Sequence, residues 1–343
     1  MSTQRAVIGV SQGVAEVKDD VPLPKLRDDY ILVRTKAVAL NPTDWKSLSR
    51  LTSPGVISGC DYAGIVEEVG KAVTTPFKPG DHVAGFARGA NPKNHEDGAF
   101  AQHITAKGDI QGKLSPNISF TDAATLGVGI TTVGQGLYQS LGLPLPPAKV
   151  SSPTPILIYG ASTATGTLAV QFAKLSGCEV IALASPHNFD LLRKLGADHV
   201  FNYREPDISA KIREVSNDKL KLVFDCISEK GSPEICSAAV SSQGGHYSSL
   251  LLVEKLPRDD VKNSLTVAYT AIGEFFSEKF PASKEDFDFG VKFWRVAAGL
   301  INDGKIKAHP TEVRPRGLDG IPQGLEDLKA GKVSGVKLVY EIE

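Results

Sequence analysis

One stretch limits what this chain can fold into more than any other: Pro155-Ile156-Leu157-Ile158-Tyr159-Gly160-Ala161-Ser162-Thr163-Ala164-Thr165-Gly166, followed by an apolar, helix-forming run to Lys174. Ile156, Leu157 and Ile158 form a continuous apolar run headed by proline, the pattern of a strand buried on both faces. Gly160 closes the run and opens a turn of small residues. Leu168, Phe172 and Leu175 then recur at helical spacing, and Gly177 stops the helix. A second apolar run over 180–184 completes strand, turn, helix and strand, the first βαβ unit of a dinucleotide-binding fold. Such a helix start exposes unpaired backbone N–H groups and partial positive charge, and a pyrophosphate fits there where side chains stay small.

The turn departs from the G-x-G-x-x-G spacing. Its three key positions read Ala161, Thr163 and Gly166, and only the last glycine, which allows close helix–strand packing, is present. Ser162, Thr163 and Thr165 supply hydroxyls that donate to phosphate oxygens. By itself the loop also reads as a Thr-capped helix start in any α/β protein. The second strand ends in Ala184-Ser185-Pro186-His187-Asn188. A site selective for NAD carries a carboxylate there for the ribose 2′-hydroxyl. Here no carboxylate stands in that run to repel a 2′-phosphate. Ser185, His187 and Asn188 donate hydrogen bonds, and Arg193 and Lys194 add positive charge nearby. The expected cofactor is NADPH rather than NADH. The same residues also make a turn and an N-cap for a helix around 189–195, and both readings hold together.

A chain of 343 residues suggests two domains. Its 38 basic and 39 acidic residues balance, so neither nucleic acid nor an anionic membrane is implied as a partner. No apolar stretch is long enough to span a bilayer, the N-terminus lacks a signal peptide's apolar core, and a cytoplasmic protein is expected. Cys60, Cys178, Cys226 and Cys236 are scattered, without a disulfide framework or C-x-x-C pair. Before the loop, short β-rich runs at 6–10, 30–40, 64–69, 82–87 and 99–104 are separated by Gly and Pro turns, which suggests a small β-barrel-like domain. Helical patterns follow over 121–141, with a proline-rich connector at 144–155. After the βαβ unit, strands are expected at 222–227 and 246–251. Residues 253–290 read as irregular and 291–301 as a helix. A short helix, a turn and a strand end the chain.

Along nearly its whole length the chain resembles the medium-chain dehydrogenase/reductases. The resemblance rests on Asn41-Pro42-Thr43-Asp44-Trp45-Lys46, Gly59-Cys60-Asp61-Tyr62-Ala63-Gly64, Pro79-Gly80-Asp81-His82-Val83, Gly196-Ala197-Asp198 and Gly331-Lys332-Val333-Ser334-Gly335. It implies an α/β protein with a GroES-like β-rich domain, residues 1–120 and 303–343, around a Rossmann doubly wound parallel-sheet domain, residues 121–302. The active site should lie in the cleft between them. In the family's alcohol dehydrogenases a Cys, a His-Glu pair and a second Cys or Asp bind the catalytic zinc. Here the first position falls near Pro42, the pair becomes Cys60-Asp61, and the stretch 126–130 offers no donor side chain. The four-cysteine structural lobe is absent between Phe86 and His103. Two adjacent donors do not make a tetrahedral site, so no metal is expected. The zinc-free branches of the family reduce activated C=C bonds, with hydride delivered to the β-carbon.

A narrower similarity joins Asn41-Pro42-Thr43-Asp44-Trp45-Lys46, Ser162-Thr163-Ala164-Thr165-Gly166, Ser185-Pro186-His187-Asn188-Phe189-Asp190 and Gly244-Gly245-His246-Tyr247 to the fungal trans-acting enoyl reductases of polyketide biosynthesis, the lovastatin type. Fungal stand-alone toxin-biosynthesis and alkenal reductases share these motifs. The resemblance implies that Thr43, Asp44, Trp45 and Lys46 lie by the nicotinamide ribose, with Lys46 stabilising enolate charge or supplying a proton. A solvated surface lysine and a helix-capping Asp44 are the plainer alternatives. It further implies that Ser162, Thr163, Ala164 and Thr165 hold the pyrophosphate and that Ser185, Pro186, His187 and Asn188 hold the 2′-phosphate. Tyr203 packs near adenine, Leu250 and Leu251 meet the cofactor through backbone, and Val336 approaches the nicotinamide. For substrate, Gly127-Val128-Gly129-Ile130-Thr131-Thr132 offers a small-residue path for an acyl chain, with Thr131 or Thr132 bonding the thioester oxygen; glycine-mediated helix packing explains the same pattern. Ile272, Gly273, Phe275 and Phe276 make an apolar wall or a core aromatic pair. Three readings stay open: an NADPH-dependent enoyl reductase acting on a carrier-bound enoyl chain with a polyketide synthase, a stand-alone alkenal or quinone reductase on small molecules, and a non-enzymatic NADPH-binding protein. Both a monomer and a homodimer fit the sequence.

Overall fold

A computed structural model describes residues 2–51 and 53–343 and divides the chain into two compact units, one running up to Val128 and resuming at Ala271, the other spanning Gly129–Thr270. In chain order the first unit begins with β1 (Thr3–Ser11), β2 (Val14–Pro22), β3 (Tyr30–Ala39), α1 (Pro42–Leu48), β4 (Val56–Ile57), β5 (Asp61–Val69), β6 (His82–Phe86), β7 (His103–Lys107), β8 (Gly112–Lys113) and α2 (Phe120–Ala123). The helix α3 (Gly127–Val133) carries the chain across the boundary. The second unit holds β9 (Pro155–Tyr159), α4 (Ala164–Leu175), β10 (Glu179–Ala184), α5 (Phe189–Lys194), β11 (His199–Asn202), α6 (Ile208–Val215), β12 (Leu222–Asp225), α7 (Ser232–Ala239), β13 (Gly245–Ser249) and β14 (Val261–Leu265). The chain then returns to the first unit as α8 (Lys284–Asn302), β15 (Thr311–Arg314), α9 (Ile321–Lys329) and β16 (Lys337–Glu341).

In the first unit the large sheet runs β15-β16-β3-β5-β6-β8, with β7 also on β3, and a smaller sheet runs β2-β1-β4. The last strand is interior: β16 pairs β15 in parallel and β3 antiparallel, with Val339 opposite Ala39. Val7, Ile31, Val33, Tyr62, Phe100, Ile104, Leu338 and Tyr340 pack into one core, drawn from both ends of the sequence. That burial is what makes the terminal segment part of the barrel-like sheet rather than a tail.

The second unit is a six-stranded parallel sheet in the order β11-β10-β9-β12-β13-β14. Its central strands read as continuous apolar runs because both faces are covered; every residue of β9 is buried. From β9 the chain crosses to β10 on one side, and β12 lies on the other, so strand order reverses at β9. This is the position where doubly wound sheets bind ligands, beyond the carboxyl ends of the strands. Gly166 is required there: a Cβ at that position would stand 2.3 Å from the Gly160 carbonyl oxygen.

Several expectations shift. The boundaries fall at 128/129 and 270/271 rather than at 120 and 303. The second boundary moves because α8 begins at Lys284 instead of 291 and packs within the first unit: Gly290 meets Ile110, and Trp294 lies against Gly112. The helical run expected over 121–141 is present with one interruption: α2 comes first, and α3 then continues as a π-helix over Gly134–Ser140. The strand expected at 99–104 begins only at His103; Ala101 contributes a single bridge to Ala6. The exposed edge strand β2 and the short strands β11, β14 and β15 carry too few apolar residues to have been read as strands.

Candidate active site

In the second unit the candidate cofactor residues gather at the carboxyl ends of the parallel strands. After Tyr159 the chain turns at Gly160, whose φ of +68° suits glycine. Ala161 N–H then donates to the Leu183 carbonyl at 3.0 Å, which ties the turn to β10. The Thr163 hydroxyl accepts from Gly166 N–H at 3.0 Å and caps α4. Ser162, Ala164 and Thr165 are half-buried around it. The glycine close approach and the hydroxyl-lined helix start fit a pyrophosphate.

At the end of β10, Ser185 occupies the cap position of a short 3₁₀ turn, Pro186–Asn188, but its hydroxyl does not cap it. Arg204 Nη1 instead approaches Ser185 Oγ to 3.4 Å. Asn188 is buried, with Nδ2 3.2 Å from His187 Nε2. Tyr203 is half-buried beside Tyr159, ring centroids 5.9 Å apart, and the Arg204 guanidinium lies over the Tyr203 ring at 4.5 Å. Arg193, expected to add charge here, pairs with Asp190 at 3.3 Å. Arg204 was missed because only the parallel register of β10 and β11, with Ala184 opposite Asn202, brings it to Ser185.

Asp225, at the end of β12, was also missed. Its carboxylate accepts from Ile227 N–H (2.8 Å), Ser228 N–H (2.9 Å), Ser232 Oγ (2.5 Å) and Tyr247 Oη (2.8 Å). Burial pushes its pKa up, and the bonds from Ser232, Ser228, Ile227 and Tyr247 oppose that. The knot fixes Ser228, whose hydroxyl accepts from Leu250 N–H at 2.8 Å. Leu250 and Leu251 therefore leave β13 along a fixed path. An acidic residue closing the apolar run Leu222-Val223-Phe224 was the signal available in the sequence.

In the first unit, Asn41 precedes α1, and Pro42 opens it. The helix starts at Pro42, so Asp44 caps from its third position: Oδ2 accepts from Asn41 N–H at 2.7 Å, as in a capping box. Asp44 is buried, and burial raises its pKa to about 7 against the bonds from Asn41 N–H and the Cys60 thiol. Thr43 and Trp45 are half-buried, and Trp45 packs on the core of the unit. Lys46 is half-buried, with Nζ 5.6 Å from the Trp45 ring, and among the described residues no carboxylate pairs with it.

A buried ion pair lies near enough to Asp44 for both its charges to act on that carboxyl. Lys337 Nζ donates to Asp61 Oδ2 at 2.5 Å and to the Thr125 carbonyl at 3.2 Å, while Asp61 Oδ1 accepts from Val128 N–H at 2.6 Å. The pair ties β5, β16 and the start of α3 together and holds Val336, half-buried, just before Lys337. His309 lies close by; burial first, and the Lys337 charge second, push its pKa down to about 3. Asp61 is fully engaged, Cys60 bonds Asp44, and among the described residues no cluster of three His, Cys, Asp or Glu side chains is placed to hold a metal.

The substrate candidates divide. Gly127, Val128, Ile272, Gly273, Phe275 and Phe276 belong to the first unit, and Gly129, Ile130, Thr131 and Thr132 to the second. The glycines serve close packing: a Cβ on Gly127 would meet the Gly85 carbonyl at 2.2 Å, and one on Gly129 would meet Leu168 at 2.9 Å. Ile130, Thr131 and Thr132 are buried. Ile272 is buried, Gly273 turns at φ +77°, Phe276 pairs with Phe280 and Arg88, and Phe275 is exposed beneath Lys93.

Residues 27–116 match the family model described as the alcohol dehydrogenase GroES-like domain, and residues 164–249 the one described as zinc-binding dehydrogenase. Among solved structures, an alcohol dehydrogenase superfamily protein from Novosphingobium aromaticivorans superimposes with a TM-score of 0.81 at 22% identity, covering 99% of this chain and 100% of that one. The CurK enoyl reductase does so with a TM-score of 0.78 at 20% identity, covering 99% of each chain. Fold and matches together define a medium-chain dehydrogenase/reductase. Trans-enoyl reductase ACTTS2 from Alternaria alternata is 59% identical over all of both chains, and trans-enoyl reductase resD from Aspergillus sclerotiorum is 46% identical over 98% of this chain and 100% of that one. Trans-enoyl reductase TOXD from Cochliobolus carbonum is 55% identical over 81% of this chain and 94% of that one. The chain belongs to the trans-enoyl reductase family.

Proposed function

We propose that this chain reduces the C=C bond of an α,β-unsaturated acyl thioester with NADPH, in trans to a polyketide synthase and without zinc. The observation that carries the reading is end-to-end identity of 59% with a trans-enoyl reductase. The local chemistry agrees. No carboxylate stands in the run Ser185-Pro186-His187-Asn188, where a 2′-phosphate would sit, and Cys60 and Asp61 are committed to protein partners. When bound, the nicotinamide supplies the hydride for the β-carbon.

The chain's own residues bind, orient and stabilise. The Gly160 turn and the capped start of α4 receive the pyrophosphate. In this reading Leu250 and Leu251 meet the cofactor through backbone held by Ser228. As hydride adds, electrons shift onto the thioester oxygen, and a proton is then needed at the α-carbon. Lys46, on a helix fixed by the Asn41–Asp44 cap, supplies positive charge for that oxygen. The test compares NADPH oxidation with a carrier-bound enoyl thioester, free crotonyl thioester, a small enal and a quinone. Turnover of the thioesters, faster on the carrier, is the expected result. Rapid turnover of enal or quinone with none of either thioester would sink the proposal. NADPH binding with no turnover of any acceptor would make the protein non-enzymatic.

A further inference from the structure

We propose that Arg204 is the specificity-determining cation for the cofactor's 2′-phosphate. The inference rests on the NADPH reading and assigns its selectivity to a residue outside the run 185–188. Strands β10 and β11 are parallel neighbours with Ala184 opposite Asn202, so the residues following each emerge side by side. Arg204 Nη1 stands 3.4 Å from Ser185 Oγ, and its guanidinium is 4.5 Å from the centre of the Tyr203 ring. Tyr203 is itself packed against the core of the second unit. The long side chain is thus oriented at two points, by a hydroxyl and by a ring face.

Two neighbouring cations already have counter-ions: Arg193 pairs with Asp190 at 3.3 Å and Lys211 with Glu205 at 2.7 Å. The carboxylate next to Arg204 in sequence, Glu205, is therefore turned toward Lys211. Arg204 is exposed, and among the described residues no carboxylate pairs with it. An exposed guanidinium without a counter-ion, pre-oriented beside a hydroxyl, suits a dianionic phosphate monoester: its fork gives two parallel charge-assisted bonds, and Ser185 adds a third donor. A ribose 2′-hydroxyl offers no charge for it to meet. Arg204 therefore separates NADPH from NADH.

Equilibrium binding to the full-length protein tests this without turnover. Adenosine 2′,5′-bisphosphate and 5′-AMP are titrated calorimetrically, and NADPH and NADH by fluorescence. Wild type, Arg204→Gln, Arg204→Lys and Arg193→Gln are compared, with thermal unfolding as a check on folding. Wild type should prefer the 2′-phosphorylated ligand of each pair. Arg204→Gln should weaken that ligand about 10- to 100-fold and leave 5′-AMP nearly unchanged. Arg204→Lys should fall between, and Arg193→Gln should match wild type. A wild-type preference that survives Arg204→Gln overturns the assignment and leaves the NADPH reading standing. A wild type with no preference for the 2′-phosphate overturns the NADPH reading, and this assignment with it.

Discussion

At Asp44, burial and hydrogen bonding act in opposite directions on one carboxyl group. Desolvation lifts its pKa to about 7, and the Asn41 and Cys60 bonds only partly oppose it. An unfolded aspartate titrates near 3.8. Below that pH the group is protonated in both states and exerts no effect. Between the two values the folded state holds the extra proton, so stability from this group declines as pH rises through the window. His309 works the other way, because its depressed pKa removes stability as pH falls from about 6.5 toward about 3. Comparing Asp44→Asn with wild type isolates Asp44. Urea unfolding at pH 5 and pH 8 should show the variant gaining on the order of 2–3 kcal/mol relative to wild type at the higher pH; an unchanged difference would mean the carboxyl is not neutral when folded. Lys46 makes a different prediction. It is half-buried and supports no ion pair among the described residues, so Lys46→Gln should leave the melting temperature nearly unmoved. Single-turnover reduction should slow about 100-fold or more, with NADPH binding retained. A variant as fast as wild type would return Lys46 to the ordinary surface.

The elements that hold the site were unequally legible. The β9–α4–β10 unit announced itself because apolar runs, a turn glycine and helical spacing all fall within 30 residues or so of one another. The Gly160 turn and the Ser185 run could therefore be placed from sequence. The contacts between remote elements could not. Lys337 and Asp61 are 276 residues apart in sequence, and nothing local in either segment reports their meeting. The edge strand β2 stayed hidden because Glu16, Lys18, Asp19 and Asp20 interrupt the apolar alternation of its valines. The Asp61–Lys337 pair shows what such contacts contribute. The side chains are 0% and 3% exposed, so removing one partner strands a buried charge. Lys337→Met alone should lower stability by about 3–5 kcal/mol. In an Asp61→Asn background, which keeps an acceptor for Val128 N–H, the same substitution should be much milder. A double-mutant cycle by chemical denaturation measures the coupling, and additive effects would show that the pair does not act as a unit.

The chain is threaded so that its last strand completes its first unit. Residues of β16 lie inside the large sheet, between β15 and β3, and Leu338, Tyr340 and Ile342 belong to the same core as Val7 and Ile31. The second unit differs: Leu157, Ile181, Val223 and Tyr247 form its core from residues that all fall within Gly129–Thr270. A truncation after Ala330 should therefore act on the two units unequally. It would open the β3 edge, remove three core side chains and leave Asp61 buried without its lysine, a combined loss as large as the usual ~5–15 kcal/mol stability of a domain's fold. Limited proteolysis read by mass spectrometry should show rapid cutting in β1, β3 and β5, with β9, β10 and β12 protected for longer. Binding of adenosine 2′,5′-bisphosphate should outlast loss of the first unit, since the residues proposed to hold it, Ser185, Tyr203 and Arg204, all lie in the second. If both units are digested at one rate and binding disappears with them, the cores are not separable and the second unit depends on the first for its fold.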